Sequence, residues 1–206
     1  MTHYDVIRGL NIDGWRRYVV ADDLTRKCTV YRQGTVALIG FYQTRGTADW
    51  EKNFRAWTMD FSIGSEKYKA HAGFVEEYKT LRDGILNDMM GVEVVQLYGF
   101  SQGGAHAVLC HRDLLHNYPH LSVYTETFGA PRVYSWESAR EFNKANKESA
   151  YWCSLIQHRF RGDPIPHLPP KRLGYGDVGE NIVHGPWSLP FNVSVHSMDA
   201  RHYGGV

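Results

Sequence analysis

The sequence predicts an α/β fold with a mostly parallel central sheet and helices on both faces. Three observations carry that expectation. Strand-like and helical runs alternate from residue 92 onward, the order that builds βαβ units. The run 36–42 (Val-Ala-Leu-Ile-Gly-Phe-Tyr) is apolar throughout, as a strand buried on both faces is. The 206 residues show no repeat and no linker-like block, so a single domain over residues 1–206 is expected.

Taken in order, the run 28–31 precedes a turn at Gln33-Gly34 and pairs with 36–42 as a hairpin. Trp50, Phe54, Trp57 and Phe61 follow at spacings of 4, 3 and 4, which predicts a short amphipathic helix. A second helical stripe, Phe74, Tyr78, Leu81, Ile85 and Met89, predicts a helix over 74–90. Strands are expected at 92–98, 121–128 and 151–160, with helices at 105–118 and 136–147, the latter capped by Ser135.

Composition removes several classes. With 43% apolar and 22% charged residues the chain is neither disordered nor coiled coil. Its 23 basic and 22 acidic residues give a net charge of +1, so no nucleic-acid partner is expected. Cys28, Cys110 and Cys153 are too few and too scattered for a disulfide framework and read as free thiols. His106 and Cys110 stand four apart on one helix, but no third ligand is suggested, so no metal and no cofactor is predicted. No basic leader with an apolar run opens the chain and no transmembrane segment is visible, which predicts a cytoplasmic, soluble product.

The chemistry enters between the strand at 92–98 and the helix after it. Gly99-Phe100-Ser101-Gln102-Gly103 fits G-x-S-x-G in the strand–turn–helix setting that pattern requires. Side chains at Gly99 and Gly103 would clash in so sharp a turn, while its strained apex exposes the Ser101 hydroxyl. The helix start aims N–H groups, that of Gln102 among them, at the place where an oxyanion would form. A hydroxyl needs a base and an orienting acid, so a carboxylate and then a histidine are sought later in the chain. Asp163 fits: it follows a strand and opens a loop holding Pro164, Pro166, Pro169 and Pro170, which restrict the backbone. Asp177 and Asp199 are the substitutes. His196, His202 and His184 all follow Asp163.

Five segments in order then resemble the class 3, or fungal-type, triacylglycerol lipases of the α/β-hydrolase superfamily: Thr44-Arg45-Gly46-Thr47, His71-Ala72-Gly73-Phe74, GFSQGGAHA at 99–107, FGAPRV at 128–133 and DPIPHLPP at 163–170. The resemblance implies an α/β-hydrolase fold and makes Ser101 the nucleophile, Asp163 the acid and Thr47 a second oxyanion donor. It favours His196 as the base, because Val195-His196-Ser197-Met198 is similar to a family run. A strand-like stretch at 191–195 before it agrees, whereas His202 lies near the chain end. Residues 48–66 occupy the place of the family's lid, with Trp50, Phe54, Trp57 and Phe61 as its apolar face or, alternatively, as a helix packed on the core. The family commonly has histidine and leucine beside the serine, where this chain has Phe100 and Gln102. The implied activity is hydrolysis of carboxylic esters, foremost acylglycerols at a lipid–water interface. A small-ester esterase or thioesterase on the same site is the alternative, and a catalytically silent binding protein on this fold the third reading.

Overall fold

The computed structural model describes residues 14–21, 26–42, 57–186, 192, 195 and 196. Seven strands form one sheet: β1 (Arg16–Ala21), β2 (Arg26–Gln33), β3 (Val36–Phe41), β6 (Val94–Phe100), β7 (Ser122–Phe128), β8 (Cys153–Phe160) and β9 (Glu180–His184), in that spatial order. The first three pair antiparallel and the rest run parallel to β3. The β2–β3 hairpin turns at Gly34, whose φ of +57° suits a residue without Cβ.

Three helices of twelve or more residues are described: α1 (Ala72–Leu86), α2 (Gln102–Asn117) and α3 (Trp136–Lys147). All bury residues in one apolar cluster on one face of the sheet, where Ile39, Val95, Leu97, Val123 and Leu155 meet Tyr78, Leu81, Val108 and Phe142. Two smaller clusters, Tyr31 with Leu38 and Phe128 with Phe160, lie apart from it. α3 begins as its sequence dictates. The Ser135 side chain accepts from the Ser138 N–H at 3.3 Å, Glu137 stands in the first turn, and Lys144 and Lys147 in the last complement the helix dipole. No described helix is long and apolar enough to cross a membrane.

One expectation fails. The run through Trp57 and Phe61 is not helical: β4 (Thr58–Ile63) and β5 (Glu66–His71) form a separate two-stranded hairpin. Its faces alternate, with Phe61, Ile63, Tyr68 and Ala70 buried against Asp60, Ser62, Lys67 and Lys69 turned outward. A period of two from Met59 to Ala70 thus prevails over the 4-3-4 spacing, because strand pairing buries every second side chain of both strands. Phe61, expected on the apolar face of a helix, instead meets Tyr78 edge-on at 5.8 Å from a strand in the core. Trp57, just before β4, is 63% exposed. Trp50 and Phe54 lie outside the described residues, as do Thr47 and the rest of 43–56.

Candidate active site

Each polar group of the site leaves the carboxyl end of a parallel strand or a loop tied to one. Ser101 follows β6 directly, with φ 55° and ψ −126°, and is the only described residue other than glycine with positive φ. What holds it there is local crowding. A Cβ on Gly99 would stand 2.3 Å from the Gly103 carbonyl oxygen, and one on Gly103 would stand 2.5 Å from that of Phe41. The Ser101 N–H donates to the Phe128 carbonyl at 2.8 Å, and the Gly104 N–H donates back to Ser101 O at 2.9 Å. Gln102 is the first residue of α2, where backbone N–H groups project from the helix end toward the serine.

Asp163 stands three residues past β8 and is fully buried. Its Oδ1 accepts from the Ile165 N–H at 2.9 Å, which leaves Oδ2 to accept from His196 Nδ1 at 2.7 Å. The other ring nitrogen, Nε2, lies 2.7 Å from Ser101 Oγ. With the proton drawn to Nδ1 by the carboxylate, the Nε2 lone pair faces the hydroxyl. Only 4% of His196 is exposed.

The strand-like stretch expected at 191–195 before His196 is described only at Asn192 and Val195. Residues 191, 193 and 194 lie outside the described set, while Val195 and His196 sit in a helical turn, Val195 N–H donating to Asn192 O at 3.0 Å. The Asn192 N–H in turn donates to Gly162 O at 2.8 Å, which ties the histidine segment to the residue beside Asp163. The imidazole stacks on Phe100, centroids 5.0 Å apart and planes 18° apart. Of the other histidines weighed, His184 pairs with His158 at 2.9 Å, and His202 lies outside the described residues. Burial, with His184 adding to it, pushes His158 down to about 4.

Several residues that sequence reasoning gave no role support this arrangement. Gly129 (φ +59°) follows β7, and a Cβ there would meet Asp163 Oδ2 at 3.0 Å and His196 Cε1 at 3.1 Å. Arg132, 7% exposed, donates to the carbonyls of His167 (2.5 Å) and Pro169 (3.0 Å) and to Asp177 Oδ1 (2.8 Å). It therefore binds the 163–170 loop to the segment after β7. Asp177 also pairs with Arg159 and Lys171. Burial would raise its carboxyl, but the hydrogen bonds from Lys171, Arg159 and Arg132 hold it well below the usual carboxylate range. Asp177 is occupied as an ion-pair hub. Both FGAPRV and DPIPHLPP were visible as motifs, yet that Arg132 of the one grips carbonyls of the other is a tertiary fact.

Outside the site, the His106 ring is 6.3 Å from that of Phe41 and 6.4 Å from that of Phe74, and its Nε2 is 3.6 Å from Glu77 Oε2. His71 stacks on Phe74 at 4.3 Å, and burial lowers its pKa to about 4. Cys28 and Cys110 are buried free thiols raised by burial, and Cys153 is half-buried.

With this geometry in place, residues 38–173 match the model of the family described as Lipase (class 3). The chain belongs to the class 3 lipase family. The lipase of Rhizopus niveus is 29% identical over 168 residues, an overlap of 70% of this chain and 37% of that protein. The lipase of Rhizomucor miehei is 27% identical over 143 residues, 62% of this chain and 38% of that protein. The chain thus spans well under half the length of these curated relatives. Among solved structures, the triacylglyceride lipase of Rhizomucor miehei superposes with a TM-score of 0.66 at 21% identity, covering 93% of this chain and 76% of that one. A triacylglycerol lipase whose catalytic centre is described as a serine protease triad superposes with a TM-score of 0.65 at 22% identity, covering 83% and 66%. These likenesses give the fold its name, α/β-hydrolase.

Proposed function

We propose that the chain hydrolyses carboxylic esters, acylglycerols foremost, through an acyl-enzyme. The observation that carries this reading is the unbroken relay from Ser101 Oγ to His196 Nε2 and from His196 Nδ1 to Asp163 Oδ2, 2.7 Å at each step. Ser101 attacks the ester carbonyl as His196 takes its proton, and the carbonyl oxygen becomes an oxyanion facing the Gln102 N–H, with Thr47 as the second donor by family likeness. The protonated His196 gives its proton to the leaving alkoxide, and water then repeats the cycle on the acyl-enzyme. Asp163 keeps the imidazole in the tautomer this requires. The chain's own residues complete the reaction without a cofactor.

Three exposed apolar side chains support action at a lipid–water interface: Trp57 (63%), Trp136 (57%) and Leu173 (55%). The Trp57 carbonyl accepts from the Ala72 N–H at the start of α1, and the Trp136 N–H donates to Gly174 O beside Leu173. Both helix starts lie at the carboxyl edge of the parallel strands, the edge that carries Ser101. Tryptophan at such a rim suits a surface that is apolar on one side and wet on the other.

The test is to label the protein with a fluorophosphonate and map the adduct, then to compare turnover of a triglyceride emulsion with that of a dissolved short-chain ester. An adduct on Ser101 with preferred emulsion turnover is expected. An adduct elsewhere overturns the mechanism, and turnover of the dissolved ester alone makes the protein an esterase.

A further inference from the structure

Gln102 stands where the family commonly carries leucine, and the structure gives this departure a partner. The Gln102 side-chain amide donates through Nε2 to Oε2 of Glu77 on α1. The same carboxylate oxygen lies 3.6 Å from Nε2 of His106, one turn along α2 on the same face. All three side chains are withdrawn from water: Gln102 is 7% exposed, and the Glu77 and His106 side chains 13% and 1%.

We propose that Glu77 is a positioning residue for the oxyanion site: by holding the Gln102 side chain it fixes the aim of the Gln102 backbone N–H. The proposal rests on the acyl-transfer reading of Ser101. This hold adds to one at the other end of the same peptide, where Ser101 O accepts from the Gly104 N–H at 2.9 Å and the Ala105 N–H at 3.3 Å. The peptide joining Ser101 to Gln102 leaves a residue at φ 55° and ψ −126°, away from the ordinary backbone wells, so its orientation rests on the sum of its contacts, and the Gln102 side chain carries one of them. A leucine in this place would be held by apolar packing, whereas a glutamine amide withdrawn from water requires an acceptor. Glu77 supplies it from a neighbouring helix. With its amide anchored there, the Gln102 side chain is also kept from folding back over the hydroxyl it adjoins.

The experiment follows phosphonylation of Ser101 by a fluorophosphonate, whose attack builds negative charge on a phosphoryl oxygen in the same place, alongside kcat and KM for a dissolved p-nitrophenyl ester. Removing a whole oxyanion donor costs roughly 10²–10³-fold, so misaiming one by Glu77→Leu should slow phosphonylation and kcat by about 10- to 30-fold and leave KM within about twofold. Glu77→Gln keeps an acceptor oxygen and should recover the rate to within about threefold of the parent. Gln102→Ala breaks the tie from its other end, leaves α1 untouched and should cost as much as Glu77→Leu. In the double variant the second change should add less than about twofold, because both remove one interaction.

A parental rate in Glu77→Leu or in Gln102→Ala overturns the proposal, and so does a loss in Glu77→Gln as large as that in Glu77→Leu. So does a full additional loss in the double variant, which would make Glu77 act through His106 instead. Should Glu77→Leu fail to fold, shown by loss of its cooperative melt, Gln102→Ala and Glu77→Gln decide the matter alone. Phosphonylation needs only a reactive Ser101, so labelling without triglyceride turnover sinks the lipid reading and leaves this one standing. A parent that is not labelled at all sinks both.

Discussion

The His196 imidazole lies on the Phe100 ring, centroids 5.0 Å apart and planes within 18°, so the residue before the serine holds the histidine that faces it. Such a stack is worth about 0.5–1.5 kcal/mol beyond area burial. Phe100→Ala should therefore lower kcat on a dissolved ester by roughly 3- to 10-fold while KM and the melting temperature change little. Single-turnover acylation checks this, and an unchanged rate would mean that the Asp163 bond alone holds the ring.

Asp163→Asn should fold and lose roughly 10⁴-fold in kcat, because an amide in place of Oδ2 favours the wrong imidazole tautomer. The Ile165 N–H can still find the Oδ1 acceptor, so the loop keeps its anchor. Steady-state kinetics and a crystal structure of the variant test both halves of the statement.

Gly129→Ala meets two obstacles at once. The backbone is left-handed there at φ +59°, and the new methyl would press on Asp163 Oδ2 and His196 Cε1 at 3.0 and 3.1 Å. Stability should fall by about 1–2 kcal/mol from the backbone alone. Activity should fall further than stability explains, at least about tenfold, since small displacements of positioned groups are costly. Urea unfolding and kcat measured on the same preparation separate the two effects.

Arg132→Met removes the grip on His167 O and Pro169 O together with one arm of the Asp177 hub. Breaking a buried ion pair costs about 3–5 kcal/mol, and the low end is expected because Arg159 and Lys171 remain on Asp177. A loss below about 1 kcal/mol in urea unfolding would mean that the loop is held by its prolines instead.

His71, His111 and His158 are each held near 4 by burial, against roughly 6.5 in the unfolded chain. Between these values the unfolded chain binds protons that the folded chain does not. Stability should therefore be full above about pH 6.5 and fall as the pH drops toward 4. Melting temperatures at pH 7, 6 and 5 should show the decline. His71→Phe, which can keep the stack on Phe74, should make it shallower.

Much of the fold was legible because neighbouring residues encode it. Ser135 and the charges after it fix the start of α3, and Gly34 permits the β2–β3 turn. Gly99 and Gly103 announce a turn that no larger residue can make. These rest on backbone sterics and hydrogen bonds a few residues apart, which is the range a sequence pattern reports. What only the tertiary structure decided lies at longer range. Trp57 and Phe61 matched a helical spacing, yet pairing with β5 made this stretch a strand, because β4 gains its partners and its buried face only from another segment. The sequence offered several histidines after Asp163; folding seats His196 against Ser101 across 95 residues of chain and commits His184 to His158. Nor could any local pattern mark Glu77, whose part is set by the packing of α1 beside α2. Periodicity and turn chemistry determine elements, and the contacts between elements determine which polar groups meet.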